Sequence, residues 1–233
     1  MTGDPINFSA DMVKTMAKSL GADLCGIAAA GRFNGAPSGH RPRDIYPECA
    51  SVIVFAKRVP AGTLYADSCV PYTYVNNVVT HEVDRLGVTL SLALEDLGMK
   101  AVPLPSDDPY EHWEAGRQYG RAVLSMRHAG YLAGLGVLGK NTLLINDRYG
   151  NMIQIGAILA DAVIEPDPLA EYEGCISDCR LCIDSCPQNA LDGITVDQKL
   201  CRPISNFINE KGYVLKKCNV CRKVCPHSAG LPV

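Results

Sequence analysis

Apolar residues recur along the chain at spacings that distinguish helix from strand. Met12, Val13, Met16 and Leu20 fall on one helical face behind Ser9, a residue type that caps helix starts, and Gly21 stands where such a helix would end. A short strand is predicted over residues 24–28. Residues 31–50 are rich in Gly, Pro and Arg and predict a long surface loop, followed by a β-branched run at 51–56 that reads as a buried strand. Between 76 and 97, Val79, Val83, Leu86, Leu90, Leu94 and Leu97 predict a long amphipathic helix, interrupted at Gly87 and closed by Gly98. A strand is expected at 100–104. Beyond it, a proline-flanked loop carries Asp107, Asp108, Glu111 and His112, which read as a solvated acidic turn. Residues 118–133 read as helix, and 142–146 with 152–161 as a hairpin turning at 147–150.

This alternation predicts an α+β fold, with an α/β core over residues 1–168 and a separate module over 169–233. With 47% hydrophobic and 20% charged residues, the chain has the composition of a globular protein. A net charge of −3 offers no general attraction for nucleic acid or anionic lipid. The opening residues 1–5 carry no basic-then-apolar leader, and no apolar run is long enough to cross a bilayer. No membrane association is expected, and a cytoplasmic location is.

Cysteine changes the picture. Eight of the eleven lie between Cys175 and Cys225, while Cys25, Cys49 and Cys69 are scattered and read as small buried hydrophobes. In a reducing compartment, dense cysteines bind metal more often than they form disulfides. The first half reads Cys175-x3-Cys179-x2-Cys182-x3-Cys186-Pro187; the second reads Cys201, then Cys218-x2-Cys221-x3-Cys225-Pro226. Two-cluster ferredoxins use such repeats, and the Cys before Pro ligates the other cluster. The spacing therefore assigns Cys175, Cys179, Cys182 and Cys225 to one [4Fe–4S] cluster and Cys186, Cys201, Cys218 and Cys221 to a second. The first spacing is one residue longer than usual, and sixteen residues separate Cys201 from Cys218. Loop closure tolerates such extensions. Zinc sites also use Cys-x2-Cys, but do not favour the Cys-Pro ending. The bacterial-ferredoxin-like module would conduct single electrons, so the core would hold an acceptor.

Gly134, Gly136 and Gly139 spell G-x-G-x-x-G, and with Lys140 they almost complete a phosphate-binding loop, except that Asn141 replaces Ser or Thr. Both nucleotide motifs need a strand before and a helix after, and here the predicted order is the reverse. Two readings remain open: a helix-to-strand turn in which glycine supplies positive φ, or a bare backbone that a flat cofactor approaches, with Lys140 and Asn141 as polar contacts.

The string Ala133-Gly-Leu-Gly-Val-Leu-Gly-Lys-Asn-Thr-Leu-Leu-Ile145, followed by the Cys-Pro motifs, resembles the epoxyqueuosine reductases and the related reductive dehalogenases. Leu20-Gly-Ala-Asp-Leu-Cys-Gly-Ile-Ala28, Arg41-Pro42, the 46–54 segment and the spacing from Tyr74 to His81 are similar to the same family. The resemblance implies a nitroreductase-like core that binds cobalamin beside two [4Fe–4S] clusters. Its cofactor-binding residues would be Gly134, Gly136, Val137, Leu138, Gly139, Lys140 and Asn141. It implies chemistry at reduced cobalt, with a proton donor from the protein. The family's catalytic Asp falls on Gly120 and the Tyr of its Tyr-His pair on Thr80, leaving His81, Tyr74 and Tyr119 as candidate catalytic residues. The family's tRNA-binding repeat domain has no counterpart before Val233, so the chain reads as a short form not acting on tRNA.

Three functions are then open. The chain would pass electrons through its clusters to a corrinoid and reduce a small substrate; or it would transfer electrons to, or reduce the corrinoid of, a partner protein without a substrate of its own; or it would hold FMN in the core, as nitroreductase-like folds do. Each requires a low-potential donor such as ferredoxin or flavodoxin.

Overall fold

The computed structural model describes residues 8–117 and 119–231; residues 1–5, read above for a leader, lie outside them. In chain order the core comprises α1 (Ala10–Ser19), β1 (Leu24–Ala29), α2 (Pro42–Ile45), β2 (Ser51–Arg58), α3 (Cys69–Glu95), β3 (Ala101–Leu104), β4 (His112–Glu114), β5 (Tyr119–Arg121), α4 (Met126–Leu132), β6 (Val137–Leu138), β7 (Leu144–Ile145) and β8 (Ile153–Ala160). The cysteine-rich part adds α5 (Leu181–Asp184), α6 (Gln198–Ser205), β9 (Phe207–Ile208), β10 (Val214–Leu215) and α7 (Val220–Lys223). The fold is mixed α and β.

Its centre is a four-stranded sheet in the order β1-β2-β8-β3, every pairing antiparallel. Period-two alternation sends Ile53 and Phe55 of β2 to one face, where they meet Val13 and Ala17 of α1 and Val79, Val83, Leu86, Leu90 and Leu94 of α3. Val52, Val54 and Ala56 point the other way, onto Ala129 of α4, Ala133 and Leu135. Burial on both faces is why β2 and β8 read as unbroken apolar runs.

Ser9 caps α1 as expected, its Oγ accepting from Met12 N at 3.2 Å. The helix α3 differs from its prediction. It begins at Cys69, capped by Ser68, and runs through Gly87 without a break. Pro71 fits the first turn, where a backbone N–H has no helical partner to lose. A Cβ at Gly87 would lie 3.2 Å from Phe55 Cζ, and one at Gly156 would lie 2.6 Å from Phe55 Cε2. Glycine at both positions admits the ring between helix and sheet.

Two further expectations are corrected. Of the predicted helix at 118–133, residue 118 lies outside the described residues and 119–133 are not one helix, because the chain forms β5 before α4. The predicted hairpin at 147–150 is also displaced. β7 pairs with β6, while β8 departs to the centre of the sheet. The turn is real: Asn146 and Gly150 exchange backbone bonds at 2.9 Å, and Asn146 Oδ1 accepts from Arg148 N and Tyr149 N. Its flanking strands have other partners. Of the scattered cysteines, Cys49 is buried, whereas Cys25 and Cys69 are only partly so.

Asp167, in the expected connection to the cysteines, straps that connection to the core. Its Oδ1 accepts from Lys14 Nζ at 2.5 Å and its Oδ2 from Ile27 N at 2.8 Å, while Arg32 Nη1 donates to Asp167 O and Leu132 O at 2.7 Å each. Both partners of the ion pair are more than three-quarters buried. Asp167→Asn is expected to lower stability by about 2 kcal/mol, since hydrogen bonds to charged groups contribute about 1.5–3 kcal/mol. A shift in denaturation midpoint at unchanged slope would register it, and no shift would refute it.

Candidate functional site

The two Cys-x2-Cys segments fold alike: Cys182 lies in the single turn α5 and Cys221 in the single turn α7, and these turns pack together. All eight thiols are unpaired. Their mutual electrostatics divides them. Burial raises the pKa of Cys182, as do Cys175, Cys225 and Cys179; burial likewise raises Cys225, which also senses Cys175 and Cys179. Burial pushes Cys221 up to about 11, with Cys201, Cys218 and Cys186 acting in the same direction and Arg222 against them. Cys201, raised first by burial, senses Cys218 and Cys186. The thiols thus form two foursomes, each drawing on both halves of the motif.

The first foursome lines a small cavity with Lys140, Asn141, Leu181 and Pro226. Backbone N–H groups reach the sulfurs, from Lys140 to Cys175 Sγ and from Ala190 to Cys186 Sγ, both at 3.3 Å. Among the described residues no three His, Cys, Asp or Glu side chains converge as ligands of a single ion would. With Zn–S near 2.3 Å, a zinc ion would hold its thiolates within about 4 Å of one another. In an iron–sulfur cube each thiolate binds a different iron, so the ligands stand wider.

The glycine-rich loop follows α4 and runs into the β6–β7 hairpin, so no helix N-terminus is available to a phosphate. Gly134 has φ +73°, and its missing Cβ would lie 2.1 Å from Pro168 O; that of Gly136 would lie 2.4 Å from Ile145 O. The bare sides of both glycines are covered by the chain itself. Gly139 is packed against Ile145 and Asn141, Val137 fills the space beside Gly174, and Leu138 is partly exposed. Lys140 Nζ donates to Ser177 O at 2.7 Å and Cys179 O at 3.0 Å, and Asn141 Nδ2 donates to Cys221 O at 3.2 Å. The loop therefore holds the backbone around both foursomes, a role its motif did not suggest.

The candidate catalytic residues are dispersed. Tyr74 and His81 lie two turns apart on the exposed side of α3, while Tyr119 is half-buried in β5 with Arg121 over its ring. Gly120, where the family resemblance places an acid, lies against a tyrosine that sequence reading passed over. A Cβ there would be 2.8 Å from the Tyr110 ring. Tyr110 Oη donates to Asp107 Oδ1 at 2.9 Å and accepts from Arg202 Nη2 at 3.3 Å. Burial, followed by the Asp107 charge, raises the Tyr110 pKa. Gln198 bonds both to Gly120 N and to Arg202 Nε. Asp107, Tyr110, Gln198 and Arg202 line a cleft of about 210 Å³ together with Cys201 and Lys216. The only sequence clue was the glycine at position 120.

No family model matches the chain. Epoxyqueuosine reductase from Staphylococcus aureus is 35% identical over 122 residues, covering 47% of this chain and 31% of that protein. The Lactococcus garvieae enzyme is 35% identical over 112 residues, covering 42% and 30%. The matched part thus spans about a third of these relatives. The solved epoxyqueuosine reductase of Streptococcus thermophilus superimposes with a TM-score of 0.63 over 95% of this chain and 67% of its own, at 19% identity. A catabolic reductive dehalogenase in complex with 3-bromo-4-hydroxybenzoic acid gives 0.71 over 96% of this chain and 32% of its own, also at 19% identity. The chain is thus related in sequence to the epoxyqueuosine reductases and shares with them and the reductive dehalogenases one mixed α/β fold.

Proposed function

We propose that the chain is an iron–sulfur oxidoreductase, with residues 1–168 as a nitroreductase-like cofactor-binding core and 169–233 as a ferredoxin-like module. It passes electrons from a low-potential ferredoxin or flavodoxin to a corrinoid and so reduces a small substrate. The observation that carries the reading is the grouping of eight thiols into two foursomes, each completed by both halves of the motif.

When bound, two [4Fe–4S] clusters would supply single-electron transfer and the corrinoid a strongly reducing cobalt. Cys175, Cys179, Cys182 and Cys225 would hold one cluster, and Cys186, Cys201, Cys218 and Cys221 the other. The N–H groups of Lys140 and Ala190 stabilise charge on Cys175 and Cys186. Lys140 and Asn141 fix the surrounding backbone, while exposed Leu138 offers the glycine-rich loop an apolar contact for the cofactor. Tyr110 keeps a proton on Oη, at the cleft beside Cys201, between a carboxylate acceptor and a guanidinium donor.

A second reading, a carrier that reduces a partner's corrinoid, is favoured by Gly120 in the place of an acid and by the solvent exposure of Tyr74 and His81. Oxygen-free purification with iron, zinc, cobalt and flavin analysis separates the alternatives. About eight irons and uptake of one cobalamin support the first reading. Eight irons without cobalamin uptake leave the carrier or a flavin enzyme, and a colourless zinc protein removes both cluster readings.

A further inference from the structure

The chain is electrically lopsided. Between residues 198 and 223 it carries seven Lys or Arg against one Glu, whereas the remainder carries fifteen against twenty-four. Two of the seven, Arg202 and Lys216, line the cleft beside Cys201. Among the described residues neither is paired with a carboxylate. Both are held by neutral acceptors instead. Arg202 Nε donates to Gln198 Oε1 at 2.9 Å, and the guanidinium stands 5.4 Å from the Tyr110 ring centre and 5.0 Å from that of Trp113. Lys216 Nζ donates to Asn206 Oδ1 at 2.9 Å, and its backbone N–H is anchored on Thr73 Oγ1 of α3. The cleft's own carboxylate, Asp107, accepts from Tyr110.

We infer that this cleft is a binding site for a small oxyanion-bearing molecule, a carboxylate in the first instance, gripped by Arg202 and Lys216 with Tyr110 Oη facing it. Two cations fixed before the ligand arrives, with no charge partner of their own, lose little freedom on binding an anion. The surrounding positive field draws anions toward them. A volume of about 210 Å³ accommodates a group the size of a single ring or a short chain. This inference rests on the reading of the chain as an oxidoreductase with a substrate of its own, and it names the class of that substrate.

The test uses the cluster-loaded protein isolated without oxygen, with benzoate and inorganic phosphate as probes. Trp113 is the chain's single tryptophan and lies against Arg202, so its emission reports on the cleft directly; calorimetry gives an independent measure. Benzoate should bind saturably, at least tenfold more weakly in Arg202→Gln and in Lys216→Gln, and unchanged in Lys211→Gln, which alters the same basic segment outside the cleft. If phosphate binds more tightly and excludes benzoate, the site is a phosphate site and the carboxylate assignment falls. If neither anion gives a saturable response, or if both cleft variants bind as the parent does, the inference fails. It fails equally if the substitutions move only the cluster potential, since the cations then merely neutralise cluster charge. Iron content and visible absorption of each variant show separately whether the cluster reading stands.

Discussion

A Cys182→Ser protein purified without oxygen is expected to retain about four irons instead of about eight. Cys182, the most deeply buried of the eight cysteines, belongs with Cys175, Cys179 and Cys225, so its loss should empty one site and spare the other. Pairing tests the grouping more sharply. Cys182→Ser combined with Cys175→Ser should cost no further iron, because both changes act on one site; combined with Cys221→Ser it should remove nearly all of it. Iron analysis with electron paramagnetic resonance of the reduced protein reads the outcome. Equal losses from the two double variants would overturn the grouping.

The second large effect concerns Gly136. Its backbone is not left-handed, yet a Cβ would press to 2.4 Å from Ile145 O, a carbonyl held within the β6–β7 hairpin. Backbone yields less readily than side chain, so Gly136→Ala should destabilise the protein by about 3 kcal/mol or more, at or above the upper range for overpacking. Gly98→Ala is the matching control. There φ is +92° and nothing lies within 4 Å, so the cost should be about 1–2 kcal/mol of conformational strain. Denaturation midpoints of the two variants would decide. Similar losses would mean that the hairpin can move, and that the glycine serves something other than close approach.

Much of the architecture is legible in the chain because burial imposes period. The alternation of Val52, Ile53, Val54 and Phe55 between two cores, and the spacing of Val79, Val83, Leu86 and Leu90, follow directly from strand and helix geometry. The repeated Cys-Pro endings assign the eight cysteines to two groups of four, and the iron counts above test that assignment. What escaped reading depends on contacts distant in sequence. Gly87 looks like a helix breaker until Phe55 is set beneath it. The glycine-rich loop looks open until Pro168 and Ile145 fill its sides. Tyr110 and Arg202 meet across 92 positions, and no local pattern announces their contact. The segment at 118–133 misled for a related reason, since Gly120 is committed to Tyr110 and Gln198 rather than to a helical turn.

The interleaving of the two foursomes also sets a timetable for maturation. A chain leaving the ribosome would present Cys175, Cys179 and Cys182 first, then wait some forty residues for Cys225 to complete their set. The other set, opened by Cys186, waits for Cys221. Under the proposed assignment, cofactor insertion would fall at the end of synthesis, and a nascent chain stalled before position 218 would expose two half-finished thiol sets to adventitious metals and oxidants at once.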